Sequence, residues 1–188
     1  MRVAAAADAP EIAAIYAPIV AATTISFELE PPSPAEIERR VHAVHDRFPW
    51  LVADDGAVLG YAYAAEHRTR AAYRWSVDVS VYVAERARGR GVATRLYRAL
   101  FALLAEQGYY NAFAGITLPN EPSVGLHRAL GFEPVGVYRN VGYKLGMWCD
   151  VAWFGRVLRQ PADDAVDEPL PFPALRNRWP DIIAAPHP

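Results

Sequence analysis

Five arginines and no acid fall within RARGRGVATRLYRALFALL, residues 86–104, in a chain whose formal net charge is −2. A basic knot in a slightly acidic chain is a local feature, and its natural counterpart is a small anion. The stretch follows an alternating apolar run and opens a helical pattern. Strand, Gly-rich turn and helix N-terminus together form an anion site, because unpaired backbone N–H groups converge there with the positive end of the helix dipole, about half a charge. Gly89 and Gly91 allow the backbone to approach a ligand closely. The phosphate loop of nucleotide hydrolases is excluded, since it needs Gly-Lys-Ser/Thr and Lys144 is the only lysine. A dinucleotide fingerprint is excluded as well: Thr94 stands where its third glycine belongs, and no acid ends the following FAGIT.

Three other positions carry titratable or charged groups that could do chemistry. In SVDVSVYV, strict alternation sets Val77, Val79, Val81 and Val83 on one face and Ser76, Asp78, Ser80 and Tyr82 on the other. An acid in mid-strand among valines stands out there, and a bond to neighbouring backbone or to Arg74 is the structural alternative to a role in proton transfer. His127, in GLHRALGF, carries an imidazole that can give or take a proton near neutral pH, or simply sit buried and hydrogen-bonded. Arg68 and Arg70 precede Tyr73 in EHRTRAAYRW, and a guanidinium suits bidentate capture of a carboxylate.

The elements that must position these groups can be read from periodicity. Asp8 and Glu11 suggest a capped helix start, with Ile12, Ile15, Tyr16 and Ile19 at helical spacing to about Ala22. Ser33, Pro34 and Glu36 make a second capping box, and that helix ends before Pro49. WLVADDGAVLGYAYA reads as a hairpin turned at Asp-Asp-Gly, and YRWSVDVSVYV, residues 73–83, as a strand. A helix from about Gly91 to Gln107 closed by Gly108, a strand through YYNAFAGI, and a helix from Asn120 to Leu130 stopped by Gly131 follow. FEPVGVYRNVGYKL and MWCDVAWFGRVL supply two final strands. Alternating strands and helices in the middle, with antiparallel pairs on either side, predict an α/β (α+β) single domain around a mixed, mostly antiparallel sheet.

At 188 residues and 53% hydrophobic, the chain can bury one ordinary core. We expect that domain to span residues 1–160. Residues 161–188 lose all periodicity, gain prolines and cluster acids at Asp163, Asp164, Asp167 and Glu168, which predicts a poorly ordered or surface-draped tail. The net charge argues against a nucleic-acid partner, no apolar run is long enough to cross a bilayer, and Asp8, Pro10 and Glu11 interrupt any signal-peptide core. Cys149 is alone, so no intramolecular disulfide forms. A cytoplasmic location and the absence of a metal site are the matching expectations.

RGRGVA, Arg88 to Ala93, resembles the pyrophosphate loop of the GNAT superfamily of N-acetyltransferases, Arg/Gln-x-x-Gly-x-Gly/Ala. RFPWLVA, VSVYV, LPNEPSVGLHRALGF and GYKLGMWCD, in this order, resemble the phosphinothricin and methionine-sulfoximine acetyltransferase family over roughly residues 1–159. The resemblance implies acetyl transfer from acetyl-CoA to a small amine that also bears an acidic group. Val81, Tyr82 and Val83 would pair with the pantetheine arm, while Arg88, Gly89, Arg90, Gly91, Val92, Ala93 and Thr94 would hold the pyrophosphate. Asn120 and Ser123 match further cofactor positions, and Asn120 also suits a helix cap.

Asp78 takes the place of the family's usual Glu and is the implied general base. Its head group sits one carbon, about 1.5 Å, further back. His127 occupies the place from which the departing sulfur is protonated. Substrate contacts are implied at Arg68, Thr69, Arg70, Tyr73, Asp78, Val79 and Ser80, with Phe27 and Glu30 as a lid. The family implies a homodimer, and large apolar groups at Tyr143, Trp148, Trp153 and Phe154 agree with one. Two alternatives stay open: acetylation of a protein N-terminus or a polyamine, and a non-catalytic acyl-CoA-binding module.

Overall fold

Seven strands and five helices account for most of the chain, in a computed structural model that describes residues 1–160 and 166–185. In chain order they are β1 (Arg2–Val3), α1 (Ala9–Ala22), α2 (Pro34–His45), β2 (Trp50–Asp54), β3 (Val58–Glu66), β4 (Ser76–Val83), α3 (Val92–Gln107), β5 (Asn111–Leu118), α4 (Glu121–Ala129), β6 (Glu133–Lys144), β7 (Met147–Val157) and α5 (Trp179–Ala184). The sheet order is β1-β2-β3-β4-β5-β7-β6, with every neighbouring pair antiparallel except β4 and β5. The expected mixed, mostly antiparallel sheet is therefore present.

The parallel pair decides where a ligand can enter. It is held only from Ser76↔Asn111 to Asp78↔Phe113, although β4 continues to Val83 and β5 to Leu118. Beyond Asp78 the two strands part, and the edge of β4 from Val79 onward has no ladder partner in β5. An unpaired strand edge inside a sheet is a template for an extended ligand.

Alternation along β4 sends its side chains to two different neighbours. Val77 and Val79 are buried on the face that α3 covers. Asp78, Ser80 and Tyr82 share the other face with their register partners Ala65, Tyr63 and Tyr61. There α1 closes over the sheet, with the Tyr16 and Tyr82 rings 4.9 Å apart. Lys144, the single lysine, is buried and donates to the carbonyls of Val20 and Ser26 at 2.6 and 2.7 Å, tying the end of β6 to the last turn of α1 and to the α1–α2 loop.

Local differences from the sequence reading have physical causes. Ser33 caps α2 as expected, its hydroxyl accepting from Glu36 N–H at 3.2 Å. Asp8 does not cap α1, because its carboxylate takes the Arg2 guanidinium at 2.6 and 2.7 Å and the Ala5 N–H at 2.8 Å. The Arg2 guanidinium holds that carboxyl below its ordinary range. β4 begins at Ser76 rather than Tyr73, since Ala71–Tyr73 form a 3-10 turn. β1 escaped notice because two residues carry no period.

Residues 161–165 and 186–188, including Asp163 and Asp164, lie outside the described residues. Residues 166–185 are more built than a draped tail. Phe172, Leu175 and Ile183 are buried, and α5 packs on α3. Gln107 clamps the segment by accepting from Leu170 N–H at 2.7 Å and donating Nε2–H to Leu170 O at 2.8 Å. Of the prolines that suggested disorder here, Pro173 and Pro180 stand in the first turns of a 3-10 helix at Phe172–Leu175 and of α5, where a missing N–H costs nothing.

Candidate active site

The anion cradle lies at the mouth of the gap between β4 and β5. Gly89 and Gly91 adopt left-handed conformations, with φ of 72° and 71°, and α3 starts immediately after them. The first N–H groups of α3, on Val92, Ala93 and Thr94, have no intrahelical acceptor. A groove of about 490 Å³ runs from Val81, Tyr82 and Val83 past Arg88, Gly89, Gly91 and those three residues to Asn120 and Ser123. Arg90 stands apart: it is exposed, outside the groove lining, and its carbonyl accepts from Arg95 Nη1 at 3.0 Å. Asn120 caps α4, its Oδ1 accepting from Ser123 N–H at 3.2 Å.

At the inner end of the gap, His127 is buried and meets Tyr97 of α3. Its Nδ1 lies 2.8 Å from Ser123 O, which can only accept, so Nδ1 carries the proton. Nε2 is then the acceptor of the Tyr97 hydroxyl at 3.2 Å. Burial lowers the His127 pKa, reinforcing the neutral form, and raises that of Tyr97. Both rings line a small cavity together with Val79, Ser80 and Gly115. The proton available at this end therefore sits on Tyr97, with His127 behind it. Sequence reasoning missed Tyr97 because it falls on the core stripe of α3 beside Leu96 and Leu100.

On the sheet's other face, Asp78 pairs with His67, their Oδ1 and Nδ1 2.6 Å apart. Burial pushes the Asp78 carboxyl up, while His67, followed by Arg68, opposes the shift. Arg74 is not its partner; it is held by Ala71 O and Glu168. The His67 ring stacks on Phe113 at 4.5 Å and meets Tyr73 and Trp153 edge-on at 5.9 and 6.2 Å. Arg68 lies over Trp153 at 5.6 Å and donates to His67 O at 2.7 Å. Arg68, Tyr73 and Asp78 are thus brought together, and Ser80 shares their face.

Thr69 and Arg70 are exposed on the loop, and Val79 points to the α3 side. Phe27 leans on Gly142, where an added Cβ would stand only 2.3 Å from its ring. Glu30 is exposed, whereas its neighbour Glu28 is tied to Arg40 at 2.8 and 2.9 Å and to the Tyr16 hydroxyl at 2.9 Å. His67 was also missed. Its only signal was its place beside Arg68, three residues from Arg70. Among the described residues, no group of three His, Cys, Asp or Glu could hold a metal ion, and no helix is long and apolar enough to cross a membrane.

The chain is similar to known proteins over most of its length. Residues 1–153 match the family described as Acetyltransferase (GNAT) domain. A phosphinothricin N-acetyltransferase of Streptomyces viridochromogenes is 40% identical over 163 residues, 86% of this chain and 89% of that protein. An L-methionine sulfoximine/L-methionine sulfone acetyltransferase of Pseudomonas paraeruginosa is 38% identical, covering 81% of this chain and 91% of its own. Among solved structures, a GNAT superfamily phosphinothricin acetyltransferase from Sinorhizobium meliloti in complex with AcCoA superposes with a TM-score of 0.84 at 38% identity, covering 89% and 92% of the two chains.

Proposed function

The chain belongs to the GNAT acetyltransferase family and is an acetyl-CoA-dependent N-acetyltransferase; from that premise we propose how its own residues carry out the transfer and which acceptor they select. The observation that carries the reading is the parting of β4 from β5, with an amide cradle at its mouth, a tyrosine–histidine pair at its inner end, and a carboxylate–imidazole pair across the sheet.

The cradle fits a pyrophosphate, because left-handed glycines and unpaired α3 amides point into one groove. Val81–Val83 offer a free strand edge to an extended arm, and Arg88 adds positive charge. Acetyl-CoA, when bound, supplies an activated thioester. The chain then does three things. The Asp78–His67 pair relieves the acceptor amine of a proton, which a protonated amine must lose before it attacks. The Tyr97 hydroxyl, backed by neutral His127, is placed to return a proton to the leaving sulfur. Arg68, packed over Trp153 beside Asp78, pairs with an acidic group on the acceptor.

The acceptor is therefore a small amino-acid-like molecule of the phosphinothricin or methionine-sulfoximine kind, as the names of the relatives suggest. The Arg68 guanidinium disfavours a polyamine. Removing a charge-assisted hydrogen bond costs about 1.5–3 kcal/mol, so Arg68→Ala should raise KM for such an acceptor about 10- to 100-fold while barely changing acetyl-CoA affinity. An unchanged KM in that variant would remove Arg68 from the acceptor site and reopen the polyamine reading. The use of acetyl-CoA and the lone buried thiol favour the cytoplasm.

A homodimer completes the proposal. β6 is an edge strand, and Val137, Tyr138, Val141, Tyr143, Met147 and Trp148 on the β6–β7 hairpin are 40% to 65% exposed. Large apolar side chains left this exposed on one edge hairpin mark an association site, and a second copy across a twofold axis is the simplest cover. Light scattering at micromolar concentration should give twice the mass of the chain, and Tyr143→Glu with Trp148→Glu should halve it. A monomeric parent protein would contradict the dimer.

A further inference from the structure

We infer that His67, rather than Asp78, takes the proton from the acceptor amine, and that Asp78 is the positioning residue which fixes the imidazole; the inference rests on the acetyltransferase reading above. The geometry is that of a carboxylate–imidazole dyad. Asp78 Oδ1 lies 2.6 Å from His67 Nδ1, so the ring donates Nδ1–H to the carboxylate and its lone pair is left on Nε2. No described residue bonds Nε2. The ring is held in one orientation by the Phe113 stack and the Tyr73 and Trp153 edges, and the side chain is only 12% exposed.

Chemistry favours the same atom. An imidazole nitrogen is intrinsically a better-matched acceptor for the proton of an amine than a carboxylate oxygen is. The groups facing the ring agree. β4 supplies Asp78, β5 and β7 supply the apolar Phe113 and Trp153, and the 3-10 turn supplies Tyr73. Arg68 on the same loop is turned over Trp153, and Glu66 is paired with Arg47 at 3.0 Å. Among the described residues, Asp78 is thus the acid in position to stabilise a charged ring.

The step balances without any other reagent. The acceptor arrives as an ammonium and gives one proton to Nε2, which passes it to solvent. Its nitrogen lone pair forms the bond to the acetyl carbonyl carbon, the carbon–sulfur bond breaks, and the electron pair leaves on sulfur. The remaining excess N–H proton is lost as the sulfur gains one, so each turnover releases a single proton to solvent.

His67→Phe preserves the stack on Phe113 and removes the nitrogen. It should lower kcat by about 10²–10⁴-fold with unchanged acetyl-CoA affinity, and should abolish the enzyme's acid limb in the pH profile of kcat/KM. Asp78→Ala should keep that limb but move it to lower pH, because an imidazolium that loses its carboxylate deprotonates more readily. The opposite pattern overturns the inference: a limb that survives His67→Phe and moves to higher pH, as a carboxylate losing its donor would, and vanishes in Asp78→Ala. Imidazole nitrogen shifts of the ligand-free protein give a readout independent of turnover. A neutral His67 protonated on Nδ1 is expected, and a proton on Nε2 would overturn the dyad even in an active enzyme. Tight acetyl-CoA binding without turnover on any amine would instead strike the acetyltransferase reading, and the inference with it.

Discussion

Asp78→Asn is expected to lower kcat by about 10²–10⁴-fold while leaving acetyl-CoA affinity unchanged. The amide keeps the shape of the carboxylate but can stabilise no positive charge on His67. It can also turn its N–H2 toward Nδ1 and fix the other tautomer, with Nε2 protonated and unable to accept. Whatever activity remains should rise with pH as more acceptor amine deprotonates unaided. Asp78→Glu is the stricter version. With only 2.6 Å between Asp78 Oδ1 and His67 Nδ1, an added methylene forces the pair apart. Displacements of about 1 Å at a reacting centre can cost on the order of a hundredfold, so the longer acid should also be slower. A gain in rate would show instead that the shell around residue 78 is built for Glu.

The second large effect belongs to Gly91. Its φ of 71° lies in the left-handed region, where a side chain costs about 1–2 kcal/mol, and an added Cβ would meet the Arg95 guanidinium at 3.3 Å. Gly91→Val should therefore turn the loop and spoil the aim of the first α3 amides. If two charge-assisted bonds to the pyrophosphate are lost at about 1.5–3 kcal/mol each, acetyl-CoA affinity falls by at least about a hundredfold. Acetyl-CoA that protects the parent protein against heat, by binding the folded state alone, should no longer protect the variant. Unchanged protection would place the cofactor elsewhere.

These two sites were legible to different degrees, and the reason is the range of the interaction behind each. Gly89, Gly91 and the start of α3 are local in sequence, so turn, dipole and amides could be read together. The Ser33 cap was legible for the same reason, being closed within three residues. Asp8 was misread because Arg2 competes for its carboxylate, and only the folded N-terminus brings the two together. Asp78 could be picked out as an acid in a valine strand, but its partner lies on the preceding strand's exit loop, and the β3–β4 register that joins them is a tertiary fact. Tyr97 looked like core because it is core, 1% exposed, and its hydroxyl gains meaning only from a histidine thirty residues on. The helices of residues 166–185 were hidden by prolines, whose role at a helix start is visible only once the helix is there.

Every role proposed above depends on transfer of an acetyl group to an amino-acid-like amine. The most direct measurement is release of free CoA thiol on mixing the protein with acetyl-CoA and either phosphinothricin or methionine sulfoximine, with acetyl-CoA binding measured on the same preparation. Saturable thiol release that depends on the acceptor is expected, with a polyamine and a peptide N-terminus far poorer. Tight acetyl-CoA binding with no thiol release on any of these amines would contradict it and leave a binding module in its place.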